Sequence, residues 1–433
     1  NHHDQQNARQ IAVLQNNLIT HGINVAALPP SLDVVVPTYR VDIGLLRGIC
    51  GDTTPANQGT VTHVVVDNPC KVRRRVAAMQ KQLSIPINPV VIHVNSSNRG
   101  VTSSRNRGIQ ASGADWIVLQ DDDVVPDPGL LQAYSTAIQH HTCDGHEQLP
   151  LGFCGMIHFP QPYNGFTAAM RMSGVPNAFE IAELTRTPVW GCTANVCMRN
   201  GPWLRFVEDW EKTGGGEDMD LFLRLHREVG GVIASVPEAA VTHPWWDEGS
   251  RRAYFHFYLW GKGDGRLQQL HPEHCYRSWP CSVEMLVAMP LVMMMWIVSK
   301  VLGVGSVSLS FLATWLLVVA LAVVEIGMLG NVVADRWLWR TVKSESLQGW
   351  ARARAAMEGA LVLICCEAGR LDYHLRYPRG CWTDIGLRFD FFCGCLPAAR
   401  RAWTKTYALK FVGYVFYGLV GQWLWLSGRL GSE

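Results

Sequence analysis

The sequence predicts an α/β domain over residues 31–280 followed by an α-helical membrane region over residues 281–433. Three observations carry this. Short β-branched runs alternate with helical stretches from 31 to 245, the order of a largely parallel sheet. Each run ends in a polar or turn-forming cluster. After Trp279 come two apolar stretches of about 20 residues, each long enough to cross a hydrocarbon core. With 433 residues, 48% of them hydrophobic, the chain can fill two or three domains and a full core.

Residues 1–30 form an N-terminal extension. Ile11, Leu14 and Leu18 fall there at helical spacing, so a surface helix precedes the first strand. The chain opens on Asn1 rather than Met, and no apolar run of signal-peptide length follows, which suggests that an upstream segment has been removed. The strand runs are 33–36 (DVVV), 62–66 (THVVV), 90–94 (VVIHV) and 116–119 (WIVL). In an open α/β sheet ligands bind beyond the carboxyl ends of the strands, so these four ends are where to look.

The apolar stretches at 283–302 and 307–329 are joined by Gly303, Val304, Gly305 and Ser306 alone, which predicts a membrane hairpin. A third span is expected at 407–426, while 360–366 is too short to cross and reads as re-entrant or interfacial. Arg336, Arg340, Lys343, Arg352 and Arg354 follow the hairpin, with Arg376, Arg379, Arg388, Arg400, Arg401 and Lys405 later. The positive-inside rule places this basic stretch, and with it the α/β domain, in the cytosol. Glu325, within the second stretch, is expected to face protein rather than lipid.

Composition excludes some classes. Lys+Arg at 38 against Asp+Glu at 36 gives a formal charge of +2, so nucleic acid is not the expected partner. The 13 cysteines are scattered and odd in number, without the paired Cys-x-x-Cys spacing of a zinc site. They read as reduced thiols, with acylation or plain burial both open for Cys365, Cys366, Cys393 and Cys395.

The chemistry concentrates in two places. Asp121, Asp122 and Asp123 follow the fourth strand directly, and three like charges at a strand end repel unless a hard divalent cation relieves them. A solvated acidic turn is the plain alternative. The second place is the run Gly214, Gly215, Gly216, Glu217, Asp218, which opens a helix. By helical spacing Asp218 shares a face with Leu221, Phe222 and Leu225, whereas Asp220 shares the opposite face with Arg224 and Arg227. A carboxylate aligned with an apolar stripe suits a general base in a cleft, or a buried cap. Asp220 reads as half of an ordinary surface pair.

These features occur in a telling order: Pro37, Thr38, Tyr39 and Arg40 after the first strand; Asp67 after the second; Asn98, Arg99 and Gly100 leading to Ser103, Ser104, Arg105, Asn106 and Arg107; the acidic triplet; then Gly216, Glu217 and Asp218. Over residues 31–245 the chain resembles the family 2 inverting glycosyltransferases. The resemblance implies a GT-A fold, Rossmann-like with a mostly parallel sheet, a UDP- or GDP-sugar donor, and Mn²⁺ or Mg²⁺. By the same resemblance Pro37, Thr38, Tyr39, Arg40 and Asp67 line the nucleotide pocket, Arg105 and Glu217 belong to the donor-binding set, and Asp121 and Asp122 lie beside nucleotide and sugar. Asp123 ligates the metal, with His243 as a further ligand, and Asp218 is the base.

Pro244, Trp245 and Trp246 can form a sugar-stacking wall. Residues 251–266, with Lys262 and Arg266, read either as a mobile loop closing on the diphosphate or as an interfacial segment. Processive members carry Gln-x-x-Arg-Trp near the membrane; here the nearest stretch is HCYRSW at 274–279, without the glutamine. Transfer of single sugars to a lipid, glycan or protein acceptor near the membrane is therefore expected. The competing reading is a non-catalytic, transferase-like subunit of a membrane complex. A nucleotidyltransferase would need a glycine-rich basic loop after the first strand, which PTYR at 37–40 is not.

Overall fold

The computed structural model describes residues 30–277, apart from 52–58, 73–75, 85–87, 144–149, 174, 211–214 and 247–249. It also describes scattered positions from 283 to 303, then 349–378, 387–395 and 412. The first half alternates as expected: β1 (Leu32–Thr38), α1 (Ile43–Cys50), β2 (Thr62–Val66), α2 (Pro69–Val72), α3 (Val76–Leu83), β3 (Val90–Val94), α4 (Val101–Ala111) and β4 (Trp116–Gln120). Then follow β5 (Val125–Pro126), α5 (Leu130–Cys143), β6 (Gly152–His158), α6 (Gly165–Ser173), α7 (Ile181–Leu184), β7 (Asn195–Arg199), α8 (Glu217–Glu228), β8 (Ile233–Thr242) and α9 (Ser250–Leu270). Last come β9 (Cys275–Arg277), α10 (Gly349–Arg376) and β10 (Leu387–Phe389).

Eight strands form one sheet in the order β3-β2-β1-β4-β7-β6-β8-β5. Strands β3, β2, β1 and β4 are parallel neighbours; β2, β1 and β4 are covered on both faces, which explains their apolar runs, while β3 at the edge is only partly buried. All seven residues of β1 and all five of β2 and of β4 are buried. Beyond β4 the sheet is mixed. β7 runs antiparallel to β4 and β6, β8 is parallel to β6, and β5 is antiparallel to β8. One core joins these strands to the helices through residues such as Val35, Leu119, Tyr134, Phe153 and Phe222.

The membrane expectations are redrawn in part. No helix among the described residues is long and apolar enough to cross a membrane. The extension 1–29, the stretch 307–329 with Glu325, and 407–426 apart from Val412 lie outside the described residues, as does much of 283–302. The segment 360–366 lies within the 28-residue α10, packed on α9 and α6. Its charged neighbours sit inside the protein. Arg370 reaches Asp264 of α9 at 2.6 Å, and Glu367 accepts from Arg388 and from the Val283 amide. Such charges are tolerable in the interior only when paired, and their partners come from elements far apart in sequence. Two glycines let the helices touch. A Cβ at Gly261 would lie 2.0 Å from the Cys366 carbonyl oxygen, and one at Gly369 would lie 1.9 Å from that of Tyr258.

Candidate active site

Four strand ends and one helix start build the cleft. At the end of β1, Thr38 donates its hydroxyl to Asp122 Oδ2 at 2.6 Å and accepts from the Val41 amide at 3.0 Å, so the turn after the strand is tied to the acidic triplet. Arg40 Nη2 lies 2.5 Å from Asp122 Oδ1 and 2.7 Å from Asp123 Oδ2. The triplet therefore does carry its own cation, a neutralisation that sequence spacing alone left to a metal. Pro37 is buried within β1, beside Val65 of β2, whereas Tyr39 is exposed at the rim.

Asp67, at the end of β2, is buried and engaged. Its Oδ1 accepts from Asn95 at 2.8 Å and from the Arg99 amide at 2.7 Å, and Oδ2 accepts from the Gly100 amide at 2.8 Å. It thus shapes the loop that starts α4. From that helix rises Arg105, whose side chain is 4% exposed. Its Nη2 donates to Asp121 at 2.8 Å and its Nη1 to Glu217 at 3.0 Å. One guanidinium therefore ties the end of β4 to the start of α8. Burial opposes its charge, but Asp121, Glu217 and Asp218 outweigh this and push its pKa up, so it keeps its proton.

Helix α8 begins after two glycines in left-handed backbone, Gly215 at φ 70° and Gly216 at φ 95°. The bend delivers Glu217 to Arg105 and leaves Asp218 half-buried. Asp218 Oδ1 accepts from the Met219 amide at 2.9 Å. Burial first, and then the Glu217 charge, push the Asp218 carboxyl up to about 7 against the pull of Arg105. A carboxylate near that value is suited to take a proton at neutral pH.

Across the cleft, His243 follows β8. Its Nδ1 lies 2.6 Å from the Pro244 carbonyl oxygen, which fixes the proton on Nδ1 and leaves Nε2 as a lone pair 3.6 Å from Asp123 Oδ1. Asp121, Asp123 and His243 each offer a ligand atom, all within 4.8 Å of one another. Two carboxylate oxygens and one imidazole nitrogen are a donor set that fits Mn²⁺ or Mg²⁺. Asp122 belongs instead to Thr38 and Arg40.

Beside His243 stands an aromatic wall. Trp246 contacts His243, Phe179 and Trp260 at ring distances of 5.2, 5.2 and 5.0 Å, while Trp245 is buried with its Nε1 donating to the Pro160 carbonyl. Of the expected tryptophan pair, Trp246 packs directly on Trp260, while Trp245 joins the cluster through Phe159. Residues 250–270 are helix rather than a mobile loop. Arg266 binds Asp209 and covers Trp210, and Lys262 lies 3.8 Å from Asp372, so both cations are committed within the protein. His256, one helical turn before Trp260, was not singled out in the sequence; its i, i+4 spacing to that tryptophan was the available signal. Nor was Cys192, whose thiol pKa is pushed up by burial and then by Asp218 and Asp121, so that it holds its proton.

Residues 29–259, more than half of the chain, match the glycosyltransferase-like family 2. The chain belongs to that family. It carries a glycosyltransferase domain with a GT-A-like α/β fold. No curated protein matches the chain. Among solved structures it is similar to S. aureus TarS (15% identity, TM-score 0.37, 56% of this chain and 40% of that one). It is also similar to GalNAc-T7 in complex with UDP, GalNAc and Mn²⁺ (11%, 0.39, 55% and 48%). A third is the mannosyltransferase PcManGT of Pyrobaculum calidifontis with GDP-Man and Mn²⁺ (13%, 0.42, 82% and 89%). The chain thus spans less than half the length of the first two.

Proposed function

We propose that this family 2 transferase moves a single sugar from a UDP- or GDP-sugar onto an acceptor hydroxyl, with inversion, using a divalent ion held by Asp121, Asp123 and His243. The observation that carries the reading is the convergence of those three ligands, with Arg105 tying one of them, Asp121, to Glu217 beside Asp218. Bound there, the ion supplies positive charge against the leaving diphosphate. Asp218 takes the acceptor proton as the acceptor oxygen bonds to the anomeric carbon; the bond from that carbon to the diphosphate breaks on the opposite face. One displacement inverts the centre. Arg105 holds Glu217 and Asp121 in register, and Arg40 aligns Asp123. The half-exposed Tyr39 edge and the Thr38 turn support a place for the nucleotide beside β1, and the Trp246–Trp260 wall supports a carbohydrate acceptor, since sugar faces pack on aromatic rings.

The metal is tested directly. A panel of UDP- and GDP-sugars with Mn²⁺ is expected to raise the melting temperature, and both EDTA and Asp123→Ala are expected to abolish that rise. Donor binding indifferent to EDTA would overturn the metal assignment.

The acceptor is proposed to be lipid-linked or membrane-proximal, with the catalytic domain in the cytosol. The apolar stretches support the acceptor and the basic stretch after them supports the cytosolic side. The full chain is expected to float with liposomes in a density gradient after a high-salt wash; quantitative release by salt would remove the spans.

A further inference from the structure

We propose that Asp220 and His271 are positioning residues that set the rotation of the helix carrying Asp218. The inference rests on the reading of Asp218 as the base. Sequence spacing made Asp220 a surface residue, paired with Arg224. It does pair with Arg224, at 3.0 Å from Nε to Oδ2, but it is 3% exposed. Its other oxygen, Oδ1, lies 3.0 Å from Nε2 of His271, itself 2% exposed and 51 residues away. His271 is the first residue after α9, and its amide donates to the Leu267 carbonyl at 2.8 Å, so the ring is fixed to the end of that helix. Both oxygens of Asp220 are therefore taken, one by its own helix and one by its neighbour.

Just before α8 the approach of α9 is apolar: a Cβ at Gly215 would meet Trp260, and one at Gly216 would meet Leu267 as well as Trp210. Such contacts set how closely the helices approach but resist rotation weakly, because they have no directional requirement. A hydrogen bond shielded from water is directional and strong. Asp218 lies two residues before Asp220 on the same rigid helix, so any rotation of α8 moves both. A turn of about 20° carries a group about 6 Å from the axis through about 2 Å. A misplacement of about 1 Å can cost on the order of 100-fold in rate. The far side of α9 is held in turn by α10 through Gly261, Gly369 and the Asp264–Arg370 pair. The base is thus referenced to the helix pair rather than to the sheet alone.

The test uses the full-length chain. His271→Leu removes the donor; His271→Gln keeps an amide N–H of similar reach. His271→Leu is expected to lower kcat by about 100-fold, with donor KM and Mn²⁺ dependence unchanged, and His271→Gln to recover most of the loss. In an Asp218→Asn background the His271→Leu effect on residual turnover should vanish, since His271 acts only through Asp218. Equal losses in kcat and donor binding, no rescue by Gln, or an undiminished effect in the Asn background would overturn the proposal. If His271→Leu does not fold, the Gln variant and Asp220→Asn carry the same comparison: a normal kcat with only a lowered melting temperature overturns it. Full turnover in Asp218→Asn alone would instead remove the base reading on which it stands.

Discussion

Replacing Asp218 with Asn is expected to lower kcat by about 10²–10⁴-fold, the usual contribution of a positioned general base, with donor binding nearly unchanged. Asn keeps the shape and the contact to the Met219 amide, so a loss confined to kcat isolates proton transfer. The same residue sets the pH response. Its carboxyl, raised to about 7 by burial and by Glu217, is active only when ionised, so turnover is expected to climb as pH rises through about 7 and to level off above. A cation held at Asp121 and Asp123 pulls that midpoint lower. A kcat profile flat from pH 5 to 8 in saturating Mn²⁺ and donor would count against Asp218 as the proton acceptor, as would full activity in the Asn variant.

Arg105→Met carries the second large effect. The guanidinium is buried and serves Asp121 and Glu217 at once. Removing one partner of a buried ion pair leaves uncompensated charge and costs about 3–5 kcal/mol. For a domain of this size that is a drop in melting temperature of about 6–20 °C. The effect on catalysis is separable, because the positive charge that holds the Asp218 pKa down is lost as well. The pH midpoint of any remaining turnover should move upward. Arg105→Lys is expected to recover part of the stability, since a point charge reaches one carboxylate well but not both. A melting temperature within about 1 °C of the parent would show that solvent already screens these carboxylates.

How much of this was legible beforehand depended on whether the relevant neighbours are near in sequence. Strands β1, β2 and β4 were, because a strand covered on both faces must be a continuous apolar run. The acidic triplet and Asp218 were, because each sits at the junction of a strand or glycine run with a polar cluster. Strands β6, β7 and β8, where the sheet turns mixed, were not picked out, since Cys, Ala and Asn interrupt their apolar runs. Asp220 was misread for a definable reason. A helix with one apolar stripe was assumed to bury one face, but α8 lies between the sheet and α9, and His271 covers the face that counting had left to solvent. Nor did anything in the local sequence single out Glu367 and Arg370, which only the tertiary approach of Arg388 and Asp264 makes tolerable in the interior. Arg40 was placed near the nucleotide by resemblance, but nothing in its local sequence revealed that it would bridge two of the three aspartates.

The half-buried Asp218 has one more consequence, this time for folding. An unfolded chain ionises this carboxyl near 3.8, whereas the folded one holds its proton until about 7. Below the first value the group is neutral in both forms; above the second it is charged in both, and the fold bears the cost of the charge. Its contribution to thermal resistance is therefore progressively lost from pH 4 to 7, the direction in which turnover gains. The Asn isostere has no proton to lose, so at pH 8 it should melt higher than the parent enzyme, gaining durability where it has given up chemistry.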